Sequence, residues 1–503
     1  MRSFVGNGSG CHEEEEEDES EQDEYHESDS TDDSCSTQEG IDAVNRKKNS
    51  GFSFFIISTA FTLGLVFSPS TLGSAGWYWG TAFWIYSIGS TWLSGIILGH
   101  CVMDAAERGV ESTYPALVED SFGSAGWYFA ASMQILTYYM VNVSLLVNVA
   151  DWCLLAYNGL HELSGGNSVQ RDVCLWQLLL AAGLVTALLA QIRTFRHLLP
   201  FALLSLLSSI IRWLLLFYQV GYGDLVATCH PSFAGVTFKS VLNSLATTAF
   251  LFGGHGLFPE EIRELRRPRS YFPALHGTYV LLVTVYISNT YVAYAVWGQW
   301  TSADNQFNWP LNWATVTSAF LSVLWGLVEM ATCHVLMLSL VERTSVVRKV
   351  LEAPRVLCGM SPKVATQARS SLLRLVFVLS EVFFAVMLSA AGLGNINALV
   401  GAFGFASLTY YAPFAVYWQQ ALRRGDAGLL FQVSCFLAIL TGVALTLLGT
   451  YAAIRGMEED LQTYTLFDTS RCTVSDVVNQ ASCDNPCRDA YGLNATSCPA
   501  AQG

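Results

Sequence analysis

From residue 52 onward, apolar residues do not alternate as in strands and do not form a stripe along one helix face. They run in blocks of about 20 residues, the length a helix needs to cross the hydrocarbon core of a bilayer. Eleven such blocks are expected, near 52–77, 80–103, 126–156, 174–192, 197–220, 236–258, 273–297, 312–341, 371–390, 394–419 and 427–453. Few carry a charge in the middle. The pattern predicts an all-α polytopic membrane protein with a transmembrane domain over 51–453.

Loop charge gives an independent check, because Lys and Arg collect on the cytosolic side. Arg46, Lys47 and Lys48 precede the first block. Every second loop after it is basic: Arg108, then Arg193 and Arg196, then Arg263, Arg266, Arg267 and Arg269, then the run from Arg343 to Arg369, then Arg423 and Arg424. The alternate loops 221–235, 298–311 and 390–395 have no basic residue, and 157–173 has only Arg171. One missed or invented span would scramble this order. It predicts a cytosolic N-terminus and an extracellular or luminal C-terminus.

Composition agrees. The 503 residues are 52% hydrophobic and only 13% charged, too few charges to cover a soluble protein of this size. The net charge of −15 comes mostly from the first 50 residues, which hold 16 acidic and 4 basic side chains. The run Glu13–Glu19, with many Ser and no apolar periodicity, reads as a disordered acidic tail over 1–50 and as an arm for a cytosolic partner. It holds no apolar stretch, so no cleavable signal peptide is expected and the first span serves for insertion.

The tail over 454–503 carries Cys472, Cys483, Cys487 and Cys498. An even set in a polar segment suggests two disulfides in an oxidising compartment; a zinc site is the alternative. Asn494 begins a glycosylation sequon there, whereas the sequons at Asn7 and Asn142 fall in the cytosolic tail and inside a span. The remaining cysteines lie mostly singly in apolar segments and read as small core residues.

Two blocks are interrupted. The first contains Gly64, Ser68 and Pro69; the sixth contains Gly253, Gly254, Gly256 and Pro259. Pro removes a helix hydrogen bond and Gly eases unwinding. Unwound backbone in a membrane is tolerated only where protein buries it or it lines a cavity. The two blocks are five apart, so two inverted five-helix repeats would put them at matching positions, the arrangement of a transporter binding site. Freed amides suit a carboxylate and freed carbonyls an ammonium or cation. Two Pro kinks with glycines for close packing are the plainer alternative.

At these residues the sequence resembles the amino acid/auxin permease family. Thr62-Leu-Gly64-Leu-Val-Phe-Ser68-Pro69 followed by Ala75-Gly76-Trp77 is similar to its first-helix element. Phe250-Leu-Phe252-Gly-Gly-His255-Gly-Leu-Phe-Pro259-Glu260 is similar to its sixth. Gly401-Ala-Phe-Gly404 through Pro413, and Tyr114-Pro115-x-Leu117 with Phe122-Gly123, resemble further family stretches. Thr62, Val66, Ser70 and Thr71 depart from the usual Gly, Leu and Tyr-Ala. The resemblance covers about 50–453. It implies a LeuT-like inverted five-plus-five repeat and amino-acid transport, often proton-coupled and in some members sodium-coupled. Thr62, Gly64, Leu65, Ser68, Phe252, Gly253, Gly254 and His255 become the expected substrate-binding residues, with Pro69 and Pro259 as helix breakers.

Charges at mid-membrane are costly and invite functional readings. Glu329 and His334, five residues apart, sit about 140° from each other around one helix. Glu329 reads either as a protonatable coupling site or as a carboxylate hydrogen-bonded between helices. His255 reads as a proton sensor or a satisfied buried imidazole. Asp151 matches a family Asp and reads as an outer gate or a solvated helix end. Arg212 is expected to pair with Glu381 or Glu329, or else to snorkel. Glu260 and Glu261 are expected to ion-pair with Arg263 and Arg266 or to gate. Trp77, Trp79, Trp297, Trp300 and Trp309 read as an interface belt.

Three function classes follow. The first is a secondary active amino-acid symporter in the plasma or a vacuolar or lysosomal membrane, with lipid as its surroundings and H+ or Na+ as coupling ion. The second is an amino-acid-sensing receptor that binds without transport. A membrane enzyme finds no nucleophile motif, P-loop or metal-spaced cluster, so neither cofactor nor metal is expected. No basic patch points to nucleic acid.

Overall fold

The computed structural model describes residues 49–164, 173–222, 236–351, 362–389 and 393–462. Among these the chain is helical, and the bridge between Asn49 and Leu265 lies outside any strand. The helices are α1 (Gly51–Thr62), α2 (Ser68–Glu107), α3 (Tyr114–Leu163), α4 (Leu175–Leu189), α5 (Phe195–Tyr222), α6 (Phe238–Leu251), α7 (Phe258–Glu264) and α8 (Tyr271–Trp297). They continue with α9 (Trp313–Arg343), α10 (Ser345–Leu351), α11 (Pro362–Leu388), α12 (Leu393–Leu399), α13 (Ala412–Arg424) and α14 (Leu429–Leu461). A π-helical stretch, Val400–Tyr411, joins α12 to α13.

Local chemistry sets the boundaries. Ser50 accepts from the Ser53 amide to start α1, and Asn312 accepts from Ala314 and Thr315 to start α9. Thr237 and Ser240 form a reciprocal cap on α6. Gly425, left-handed at φ 75°, ends α13.

Eight helical stretches among the described residues are long and apolar enough to cross a membrane, against the eleven blocks expected. The difference arises at three places. The first two blocks merge into one stretch, Gly51–Glu107, which turns at Gly76 with φ 70°. The fourth block forms the 15-residue α4, about 22 Å long at 1.5 Å per residue and so short of the hydrocarbon thickness. The sixth is split into α6 and α7, each too short alone.

The main apolar core runs through α1, α2, α3, α7, α8 and α9. Helix α3 lies along α9, α2 lies against α6 and α8, and α14 covers the π-helical stretch. The last helix continues eight residues beyond the expected end at 453, through a turn that carries the exposed Arg455–Glu458 pair.

Two expectations need correction. Trp77 and Trp79 are exposed (54% and 59%), as a belt requires, but Trp297 and Trp309 are buried (1% and 2%) in a small core with Leu216 and Ala314. Cys101, Cys333 and Cys435 are buried free thiols and Cys153 is a half-buried one, whereas Cys174 at the head of α4 is disulfide-bonded. Asn494 and the four tail cysteines lie outside the described residues.

Candidate functional site between two broken helices

Helix α1 ends at Thr62 because Leu63 and Gly64 turn to ψ near 60°, and a short 3-10 turn, Leu65–Phe67, leads into α2. Helix α6 ends at Leu251, and a turn over Phe252–Leu257 leads into α7. Pro69 and Pro259 each fall in the first turn of the second half-helix. A missing N–H costs nothing there. Each proline therefore opens a new helix rather than kinking a continuous one.

The four half-helices pair crosswise. Asn49 and Arg266 exchange backbone bonds that tie the start of α1 to the end of α7: the Asn49 amide donates to Glu264 O at 2.6 Å and the Arg266 amide to Asn49 O at 2.8 Å. Ser58 Oγ donates to Glu261 Oε2 at 2.5 Å. On the other side, Ser244 Oγ on α6 donates to Thr71 O on α2 at 2.7 Å. The breaks touch in the middle. A Cβ on Gly254 would stand 2.9 Å from the Thr62 Cγ2, and one on Gly253 would stand 2.2 Å from the Phe405 ring.

Helix α8 holds both breaks open. The Tyr286 hydroxyl accepts from the Gly64 amide at 2.9 Å and donates to Thr62 O, with Leu251 O at 3.4 Å. One turn on, Asn289 Nδ2 donates to Leu65 O and Ser68 Oγ, both at 3.0 Å. Trp325 Nε1 donates to Ala60 O at 2.9 Å. Trp84, Phe252 and Tyr286 form a mutual set of edge-on aromatic contacts. Buried backbone groups that lose their helix partners need others, and these side chains supply them.

A cavity of about 10 Å³ lies between the breaks, room for roughly one water. Its lining includes Thr62, Gly64, Gly253 and Glu329 among the expected residues, with Phe61, Phe250, Tyr286, Trp325 and Phe405 around them. Leu65, Ser68, Phe252, Gly254 and His255 are buried close by but do not line it. His255 turns toward α2, where its Nε2 meets Thr91 O at 2.8 Å.

The ionisable residues take other places than expected. Glu260 and Glu261 are buried and do not bond Arg263 or Arg266. Glu260 accepts from Gln134 Nε2 at 3.2 Å and from the Tyr114 amide at 3.4 Å, while Arg263 pairs with Glu111 at 3.0 Å near the surface. Arg212 is buried (2% exposed), so it does not snorkel; it donates to Ser209 and Ser322 and lies over the Trp325 ring at 5.3 Å. Glu381 pairs instead with His334 at 2.9 Å. Asp151 is half-buried in the last turns of α3. Among the described residues no group of three or more His, Cys, Asp or Glu is arranged to hold a metal.

Sequence reasoning does not single out Tyr286, Asn289, Trp325 or Trp84. One signal was available: Tyr286 and Asn289 are three apart in an apolar span, so they share a face, and Asn is costly there without a buried partner.

Helices of membrane-crossing length, with an enclosed polar site between two of them, define a polytopic membrane protein that holds a site within its bundle. Residues 49–455 match the family described as transmembrane amino acid transporter protein, and the chain belongs to that family. Among curated relatives, Amino acid transporter AVT1B of Arabidopsis thaliana is 21% identical over 409 residues, covering 80% of this chain and 69% of its own length. Amino acid transporter AVT1C of the same plant is 20% identical, covering 51% of this chain and 47% of its own length. Among solved structures, MhsT in complex with L-phenylalanine aligns at TM-score 0.45 and 13% identity over 80% of this chain and 98% of MhsT. Mhp1, a nucleobase-cation-symport-1 family transporter, in a closed conformation with bromovinylhydantoin bound, aligns at TM-score 0.41 and 12% identity over 86% and 97%.

Proposed function

We propose that the chain is a secondary active transporter of amino acids with neutral side chains, coupled to protons and working by alternating access in an eleven-span inverted repeat. The observation that carries this is the crosswise pairing of four half-helices around Tyr286. Halves α1 and α7 are joined at one end and α2 and α6 at the other, so either pair can move while the other stays. The Tyr286 hydroxyl takes one amide proton and offers one proton to carbonyls at the breaks. A zwitterion has the same two needs: its carboxylate would take the Gly64 amide and its ammonium the Thr62 and Leu251 carbonyls. Phe61, Phe250, Phe405 and Trp325 favour an uncharged side chain. A cavity of about 10 Å³ must widen for any amino acid, which supports a closed state in a cycle.

The N-terminus lies in the cytosol and the C-terminal tail, with its cysteines and Asn494, outside or in a lumen. Loop charge supports this. So does the disulfide at Cys174, which lies beside one of the loops poor in Lys and Arg and calls for an oxidising side.

The test is radiolabelled amino-acid uptake into proteoliposomes with an imposed pH or sodium gradient. Saturable flux stimulated by protons and not by sodium is expected. Binding without flux would make the protein a receptor, and no response to either gradient across all amino acids would refute transport.

A further inference from the structure

We propose that the coupling proton is carried by the His334–Glu381 pair, held between α3, α9 and α11. This rests on the proton-coupled reading above.

The hydrogen-bond geometry places one shared proton between the two side chains. His334 Nδ1 stands 2.8 Å from the carbonyl oxygen of Met330, which can only accept, so Nδ1 carries a hydrogen. Nε2 stands 2.9 Å from Glu381 Oε2. A neutral imidazole with its hydrogen on Nδ1 would point a lone pair at a carboxylate lone pair. A 2.9 Å contact therefore needs one more proton between Nε2 and Oε2. That proton makes either imidazolium with carboxylate or imidazole with carboxylic acid, and both are neutral as a pair.

The surroundings offer a neutral amide hydrogen near Nε2 but no cation for the carboxylate. Both side chains are fully buried, at 0% exposure. Asn142 Nδ2 on α3 donates to Glu381 Oε1 at 2.9 Å and lies 3.3 Å from His334 Nε2. From α3, the Tyr139 hydroxyl donates to Ser380. From α9 come Cys333 and, further along, Glu329, both buried. Helix α4 contributes no titratable side chain. On α11, Arg374 lies about 10 Å along the axis and is bound to Glu342 and to the carbonyls of Ala190 and Ile192.

Loss of the proton leaves a buried carboxylate facing an imidazole lone pair, with no cation beside it. An unpaired buried charge is expensive, so the contact must open or admit water. Proton loading thus favours α9 and α11 together, and release favours them apart. Binding the proton from one side and releasing it to the other makes and breaks only this N–H or O–H bond.

The experiment uses the purified full-length chain in proteoliposomes, with substrate exchange at zero gradient and proton flux by a trapped pH dye as separate readouts. Glu381→Gln keeps the hydrogen bonds and removes the proton site. It is expected to retain exchange while losing proton-driven accumulation by about tenfold, within the usual range of coupling between linked sites. Substrate-induced alkalinisation should disappear with it. Asn142→Asp combined with Glu381→Gln moves the carboxylate across the imidazole and is expected to restore both, which also decides the matter if the single variant fails to fold. Proton-driven accumulation at the wild-type level in Glu381→Gln overturns the assignment. Wild-type exchange with no proton response overturns the proton-coupled reading itself.

Discussion

The Tyr286 hydroxyl stands 2.9 Å from the amide nitrogen of Gly64, and through this contact α8 holds a broken helix in its unwound form. The same oxygen reaches Thr62 O and lies 3.4 Å from Leu251 O, so one side chain satisfies groups on both breaks. Tyr286→Phe keeps the ring and its contacts with Trp84 and Phe252 but removes the hydroxyl, which leaves the buried Gly64 N–H with only the Thr62 carbonyl at 3.0 Å. Loss of one buried hydrogen bond costs about 0.5–1.5 kcal/mol. The variant should fold with a lower thermal midpoint in detergent. Its transport should fall more than stability does, because the breaks themselves are disturbed. An unchanged midpoint together with unchanged uptake would show that Tyr286 is only a packing residue.

The contact between the breaks makes a paired prediction. Gly254→Ala puts a methyl group 2.9 Å from the Thr62 Cγ2. Overpacking of this kind costs about 1–3 kcal/mol. Thr62→Ser removes that methyl, so the double variant should recover most of the loss in a double-mutant cycle of stability and uptake. Gly89→Ala, with open space around it, is the neutral control. Additive losses at 62 and 254 would mean that the two breaks do not press on each other.

Much of this site is legible in the sequence, and the reason is local. Gly64, Pro69, Gly253 and Pro259 stand out because backbone-breaking residues in an apolar block need no distant partner to be noticed. Their roles shift only in detail, since both prolines begin a helix. What is not legible is tertiary. Glu381 lies 47 positions from His334 on another helix, and nothing in either segment announces the pair. Glu260 and Arg263 are one turn apart and look like an ion pair. The buried Gln134 and Tyr114 donors hold Glu260 inward, while Glu111 is free to meet Arg263 at the surface. The span count diverges for the same reason: length and hydropathy see α6 and α7 as two short helices, whereas their role comes from standing end to end.

Glu111 links the broken helix to α9, because its Oε1 meets Arg263 at 3.0 Å and Arg343 at 2.5 Å. It is half exposed, so each contact contributes at most about 1 kcal/mol and weakens with salt. Glu111→Gln should leave global stability almost unchanged and loosen this end of the bundle. Hydrogen exchange should quicken in α7 and α1 and hardly change in α3 or α9. Raising ionic strength should mimic the variant in the wild type. Exchange in α7 that ignores both changes would mean that the buried Ser58–Glu261 bond alone keeps this end shut.

Glu329 gives the last prediction, on selectivity. It lines the cavity with an oxygen that has no protein partner, opposite aromatic walls. A buried carboxyl with an unpartnered oxygen and no ion pair is expensive to ionise, so Glu329 stands as a neutral acid, and a substrate side-chain carboxylate brought among these walls would give up its water without gaining a cation. Acidic amino acids should therefore compete for uptake about a hundredfold less well than neutral ones of similar size. Glu329→Gln keeps a neutral side chain of the same size and should leave that gap within a few-fold. The measurement is competition of unlabelled aspartate, glutamate, asparagine and glutamine against a labelled neutral amino acid in wild type and variant. Equal competition by acidic and neutral side chains in the wild type would mean that a cation or water meets the bound side chain, and a gap that closes in Glu329→Gln would mean that Glu329 is ionised beside the substrate.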